Sequence, residues 1–171
     1  CLYTRQAEAL GLGHAVLCAR PIVGDNPFAI VLADDVIRAE PTVLQQMVDV
    51  YHRYNCAVIG VQAVARDEVS SYGIVAADPM GDDPRVCRVR GIVEKPAPAQ
   101  APSNLAVVGR YILTPRIFPL LEQVATGAGG EIQLTDGIAA LLKHEQVLCY
   151  QFTGRRYDCG SKMGYLQATV E

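Results

Sequence analysis

Phe28-Ala29-Ile30-Val31-Leu32-Ala33-Asp34-Asp35 is the stretch on which the fold turns. Phe28 to Leu32 run without a polar break, so the alternation of a half-solvated strand is missing. The run predicts a strand buried on both faces in a parallel sheet. It stops at two carboxylates, Asp34 and Asp35. Downstream, Thr42 stands where it can cap a helix from about Val43 to Tyr54, in which Leu44, Met47, Val48 and Tyr51 recur at helical spacing. Ala57 to Val64 is a second apolar strand, which completes a strand–helix–strand unit.

Outward from that unit the texture changes. Upstream, Gly13 to Arg20 reads as a short helix stopped by Pro21. Downstream, Tyr72 to Ala77, Val86 to Val93 and Leu105 to Leu113 are three successive strands separated by turn-rich segments. Pro115 opens a helix through Gln123, and Gly127 to Gly130 is a loop. Glu131 to Glu145 carries the strongest helical pattern, with Ile132, Ile138, Leu141 and Leu142 as its apolar stripe. Val147 to Phe152 is a strand, and the chain is helical again from Met163. The fold class is therefore α/β, a parallel core with a β-rich insertion.

Composition narrows the function. The chain has 171 residues, half of them hydrophobic and 19% charged, which suits one globular domain. A net charge of -3 leaves no electrostatic footprint for nucleic acid or an anionic membrane. No apolar run reaches the length of a membrane span, and no basic-then-apolar leader opens the chain. The six cysteines form no C-x-x-C pair, and Cys18, Cys56 and Cys149 lie inside apolar runs. Buried free thiols in a reducing cytoplasm are expected, not disulfides or a zinc site. The start, Cys1-Leu2-Tyr3-Thr4-Arg5-Gln6, has no methionine and no strand-then-turn preamble, as in an excerpt whose beginning is missing.

Three places could carry chemistry. Asp34 and Asp35 end a strand, and Asp158 follows another; carboxylates at strand ends suit a hard cation such as Mg²⁺, which one or two carboxylates and substrate phosphates usually hold. The alternative is that either aspartate serves only a turn. Glu94-Lys95-Pro96 closes a strand and opens the Pro/Ala-rich stretch 96–102. Adjacent strand residues point to opposite sides, so Glu94 could meet sugar hydroxyls while Lys95 meets a phosphate. Gln6, followed by Gly11-Leu12-Gly13-His14, places an amide before a glycine turn, a pairing suited to a nucleobase edge and equally to a plain helix entry. Neither G-x-G-x-x-G nor a Walker loop occurs, which disfavours a Rossmann oxidoreductase.

Taken together, these segments resemble the bacterial UTP–glucose-1-phosphate uridylyltransferases, a branch of the sugar nucleotidyltransferases. The likeness is carried, in order, by Arg5-Gln6 with Gly11-Leu12-Gly13-His14-Ala15-Val16, by Leu32-Ala33-Asp34-Asp35, by Tyr72-Gly73-Ile74-Val75 and by Val93-Glu94-Lys95-Pro96. It continues through 102–111, Gly130-Glu131-Ile132-Gln133-Leu134-Thr135-Asp136 and Asp158-Cys159-Gly160-Ser161-Lys162-Met163-Gly164-Tyr165. The resemblance implies a Rossmann-like, glycosyltransferase-A-like mixed sheet flanked by helices, with a β-rich sugar-binding insertion. It also implies uridylyl transfer from UTP to glucose 1-phosphate, giving UDP-glucose and pyrophosphate, in a cytoplasmic homo-oligomer.

Residue by residue, Gln6 and Gly11 match uracil-reading positions, and Asp34 and Asp158 match the Mg²⁺-binding aspartates. Gly73, Glu94 and Val108 match positions that hold the glucose ring, and Lys95 matches the lysine that binds the sugar phosphate. Asp35 and Asp136 are expected to be a loop partner and an exposed or capping carboxylate, and Glu131 a helix-dipole partner. The family's first strand, its glycine-rich triphosphate loop and a second basic segment have no counterpart here, so residues 1–171 are expected to be one N-terminally truncated nucleotidyltransferase domain. A non-catalytic sugar-phosphate or nucleotide-binding module, or transfer to another sugar 1-phosphate, is the competing reading.

Overall fold

Thr42 does turn the chain into a helix. In the computed structural model, which describes residues 1–127 and 130–171, its Oγ1 accepts the Gln45 N–H at 3.3 Å and α2 runs Val43–Tyr54. Asn55, at φ 48°, ends it in the left-handed conformation that short polar side chains tolerate. The face that α2 buries is centred on Val43, Met47 and Val50, with Leu44, Val48 and Tyr51 packed at its flanks.

The strands are β1 (Phe28–Val31), β3 (Ala57–Ala63), β4 (Gly73–Pro79), β5 (Val86–Glu94), β6 (Leu105–Leu113) and β7 (Val147–Gln151). They form one mixed sheet in the order β1-β6-β3-β7-β5-β4, and β4 also meets β6 through Ile74 and Ala106. The expectation of a parallel core is corrected here: β3 and β7 are the one parallel pair among the described residues. The strand–helix–strand crossover from β1 to β3 exists, but β6 fills the slot between them, antiparallel to both. For the same reason β1 is not buried on both faces. Among the described residues it pairs with β6 alone, its burial alternates, and Val31 remains 53% exposed.

Period-2 alternation divides the core in two. Ile59, Val61, Val107 and Tyr111 face α1 (Leu12–Val23), α3 (Ile117–Leu121) and α4 (Leu134–Leu141), where Phe118, Leu121, Ile138 and Leu141 are buried. Val58, Val108, Ile112 and Leu148 face α2. Helices thus cover both sides of the sheet.

The helix boundaries differ from expectation: α3 is confined to Ile117–Leu121 within the expected Pro115 to Gln123, and α4 ends at Leu141, not Glu145. Pro21 lies inside α1, because a proline in the last turn forfeits a single hydrogen bond and Gly24 N–H still closes onto the Arg20 carbonyl at 2.9 Å. α4 starts at Leu134, since the Ile132 N–H donates to Leu10 and the Ile132 carbonyl accepts from Gly13, both at 2.8 Å. Ile132 and Glu131 are therefore outside the helix; Glu131 accepts from the Gln133 amide, while Asp136 sits exposed in the first turn. Of the expected loop, 128 and 129 lie outside the described residues.

A second, two-stranded sheet pairs β2 (Asp35–Arg38) with β8 (Arg155–Asp158), and Asp35 stands opposite Asp158. After it, Ser161 Oγ accepts the Gly164 N–H at 3.0 Å and caps α5 (Lys162–Val170). Among the described residues no helix is long and apolar enough to cross a membrane.

Candidate active site

β2 and β8 bring the distant aspartates together. Opposed residues of an antiparallel pair project to one side, and so do i and i+2 on one strand. Asp35, Arg156 and Asp158 thereby share a face, and the Cys159 N–H donates to the Asp34 carbonyl at 2.7 Å, which draws Asp34 to the same end. A cleft of about 330 Å³ opens there, lined by Asp34, Asp35 and Asp158 on one wall and Gly73, Glu94 and Lys95 on another. A somewhat larger cavity, about 420 Å³, lies elsewhere among Gln46, Arg53, Arg85 and Tyr150 and holds none of the predicted site residues.

Glu94 and Gly73 are register partners at the ends of β5 and β4. A methyl group on Gly73 would stand 3.2 Å from Glu94 Oε2 and 2.8 Å from Thr135 Cγ2, so glycine is what keeps the carboxylate accessible from the cleft. Thr135, a cleft-lining residue beside them, has a buried Oγ1 with no hydrogen-bond partner among the described residues. Lys95 does not project opposite to Glu94. It lies one residue beyond the strand at φ 45°, with its N–H on the Tyr72 carbonyl, and its Nζ stands 4.0 Å from Glu94 Oε1. The left-handed backbone cancels the strand alternation and turns both heads toward one space.

The carboxylate wall is organised by Arg156, whose side chain is 9% exposed. Its Nε donates to Asp35 Oδ1, its Nη1 to the Tyr72 hydroxyl at 3.3 Å, and its Nη2 lies 3.6 Å from Asp158 Oδ2. Burial pushes the Asp35 carboxyl above the ordinary carboxylate range, and the Arg156 hydrogen bond opposes that shift without cancelling it. Asp35 is thus a buried anchor. A methyl group on Gly109 would come within 2.5 Å of its Oδ2, which leaves β6 room only for glycine at that point.

Asp34 and Asp158 both face Gly160. A methyl group placed there would touch Asp158 Oδ1 at 3.1 Å and Asp34 Oδ2 at 3.6 Å. Two carboxylates on one small space, open to the cleft, form a donor set suited to Mg²⁺ completed by substrate phosphates. No group of three or more metal-ligating side chains occurs among the described residues, so protein ligands alone would not saturate a cation.

Gln6 and Gly11 sit at the start of α1, beside the cleft-lining Leu12. The Gln6 amide N–H group donates to the Gly11 carbonyl at 3.1 Å and contacts His14 Nδ1 at 2.9 Å. Gly11, at φ 89°, has Glu131 Cβ within 2.8 Å of where its own Cβ would be. Gln6 and Gly11 themselves do not line the cleft, and Val108 does not either. Its side chain is buried on the α2 side of β6, and Val107, one residue earlier, lines the cleft. Tyr72, Thr135 and Arg156 were not anticipated. The i, i+2 placement of Arg156 and Asp158 was the one local signal that could have found any of them.

The chain is similar to several known enzymes. Over 169 residues the chain is 51% identical to UTP–glucose-1-phosphate uridylyltransferase of Pseudomonas aeruginosa, covering 98% of this chain and 60% of that enzyme. It is 49% identical to the Bacillus subtilis enzyme of the same name, covering 99% of this chain and 57% of the relative. The chain thus spans about three fifths of the length of these relatives. Its structure superposes on a UDP-glucose pyrophosphorylase solved with UDP-glucose at a TM-score of 0.94, with 43% identity over 99% of this chain and 64% of that one. A UTP-bound enzyme from Acinetobacter baumannii matches at 0.83, with 43% identity over 97% and 57%. Residues 1–171 match the nucleotidyl transferase family from end to end, and the chain belongs to that family.

Proposed function

We propose that this chain carries the sugar-phosphate and metal-binding part of an enzyme that transfers a uridylyl group from UTP to glucose 1-phosphate, giving UDP-glucose and pyrophosphate. The observation that carries the reading is the convergence of Asp34, Glu94, Lys95 and Asp158, remote in sequence, on one cleft. The enzymes it resembles bear that activity in their names.

The chemistry brings two polyanions together, so the work is placement and charge neutralisation. Lys95, a compact ammonium held 61% exposed at the cleft, binds the incoming sugar phosphate. Glu94 and the Gly73 backbone receive the sugar hydroxyls, and the unpartnered Thr135 hydroxyl adds a further contact. The Gln6 amide, whose nitrogen is held by Gly11 and His14, is the group assigned to the uracil edge by the family resemblance. Asp34 and Asp158 would hold Mg²⁺, which when bound would supply neutralisation of phosphate charge. No general base is required, because a phosphate monoester is already an anionic nucleophile near neutral pH. The six cysteines all being free fits a cytoplasmic enzyme, and a homo-oligomeric assembly follows from the family resemblance.

The test is a coupled pyrophosphate-release assay on the full-length protein with UTP and a panel of sugar 1-phosphates. Glucose 1-phosphate should be preferred. Lys95→Ala should lower kcat/KM by roughly 10²-fold or more with the fold intact, the scale seen when one preorganised electrostatic contact is removed. Near-normal transfer by that variant would sink the assignment.

A further inference from the structure

Asp158 is the open partner of Asp35 across the β2–β8 ladder: its side chain is 40% exposed, against 9% for Asp35. The terminal torsion of an aspartate is broad and two-fold, so so open a carboxylate turns unless something holds it. Three groups hold this one. Gly160 N–H donates to Oδ1 at 3.1 Å, the Tyr72 hydroxyl donates to Oδ2 at 3.3 Å, and Arg156 Nη2 stands 3.6 Å from the same Oδ2. Arg156 is in turn immobilised by Asp35 and by Tyr72, whose hydroxyl accepts from Nη1 and whose ring centroid lies 5.1 Å from the guanidinium carbon. Tyr72 therefore relays a hydrogen bond from Arg156 to Asp158.

We infer that Arg156, with Tyr72 as its strut, is a positioning residue that clamps Asp158 Oδ2 and so presents Oδ1, beside Asp34, to the divalent cation. The inference rests on the proposed metal-dependent transfer at this cleft. Orientation and charge act here with opposite signs. A guanidinium repels a nearby cation, so a purely electrostatic role predicts that weakening Arg156 leaves cation affinity unchanged or raises it. The clamp predicts that affinity falls. Arg156→Lys separates the two, since lysine keeps the charge and loses the fork that reaches Asp35, Tyr72 and Asp158 together.

The experiment is a Mn²⁺ titration of the chain, followed by the electron paramagnetic resonance of the free ion, with no nucleotide present. Changing an outer partner of a metal ligand typically costs 10–100-fold in affinity, so Arg156→Lys should weaken Mn²⁺ binding by about tenfold. Tyr72→Phe should weaken it less, because the aromatic ring still packs on Arg156. Asp158→Ala should lose the site. Should Arg156→Lys fail to fold by circular dichroism, Tyr72→Phe decides alone, since it leaves the buried Asp35–Arg156 pair in place. Wild-type affinity in the folded Arg156 and Tyr72 variants, with Asp158→Ala still defective, overturns the clamp and spares the metal reading. Mn²⁺ binding indifferent to Asp158→Ala overturns both.

Discussion

Asp35→Ala isolates the energetics of the carboxylate wall. Asp35 and Arg156 are each 9% exposed at the side chain, so removing the aspartate strands a guanidinium nearly out of water. Breaking a fully buried pair costs about 3–5 kcal/mol, and losing one hydrogen bond to a charged group about 1.5–3 kcal/mol. Arg156 keeps the Tyr72 hydroxyl at 3.3 Å and Asp158 at 3.6 Å, both bordering the open cleft, which places the expected loss near the overlap, about 3 kcal/mol. For a chain of this size that lowers the thermal midpoint by about 6–12 °C. Urea denaturation should show a lower midpoint with the slope unchanged. The diagnostic comparison is the double variant Asp35→Ala with Arg156→Met, which removes the stranded charge. Because burial outweighs the hydrogen bond at Asp35, the pair itself is worth little, and only its breakage is expensive. The double variant should therefore be more stable than Asp35→Ala alone. A single-variant loss below about 1 kcal/mol, or a double variant no better than the single, would refute the buried-pair reasoning.

Two further outcomes test the site and the core. Gly73→Ala should impair use of glucose 1-phosphate far more than it impairs folding. Its methyl would crowd Glu94 Oε2 at 3.2 Å and Thr135 Cγ2 at 2.8 Å, so KM for the sugar phosphate should rise in the full-length enzyme while UTP binding, read by calorimetry, stays put. Alkaline pH should destabilise the chain. Burial pushes the Cys149 thiol from 9.0 up to about 12 and raises the buried Tyr111 hydroxyl as well. The unfolded thiol ionises above pH 9 while the native one does not, so stability present below pH 9 is lost progressively toward pH 12. Urea midpoints at pH 8, 9 and 10 should fall, with a shallower fall in Cys149→Ala; a flat series would contradict the burial argument.

What the sequence made legible was whatever a single element could announce. The strands expected at 57–64, 86–93 and 105–113 form at 57–63, 86–94 and 105–113, and Thr42 caps its helix. What stayed hidden was set by partners far along the chain. Nothing in Phe28–Val31 says that Arg110 to Leu113 will pair with it, so the slot between β1 and β3 looked like ordinary parallel packing. Residues 131–133 have helix-forming composition, yet the Ile132 backbone is bound to Leu10 and Gly13. β2 and β8 are short and charged, the composition of a loop, and become strands because Asp35, Arg156 and Asp158 satisfy one another across the ladder.

That last point also explains why the site was half visible. Asp34, Glu94, Lys95 and Asp158 are polar residues at the ends of strands, where ligand-binding groups of an α/β sheet are found, so their placement was readable one residue at a time. Arg156 and Tyr72 have no such address. An arginine two residues before an aspartate reads as surface charge until the strand folds against β2 and takes its side chain out of water. Asp35 was expected to be only a loop partner for the same reason, and it is the residue that pairs with the buried Arg156 and holds it still. Groups that would touch substrate advertise themselves by chemistry and position. Groups that hold them do so through pairings between distant segments, and a site's supporting shell is therefore the part that requires coordinates. The Mn²⁺ titration bears directly on this division: a tenfold loss from Arg156→Lys would show that the carboxylate nearest the metal does not define the site without a residue whose local sequence carries no sign of it.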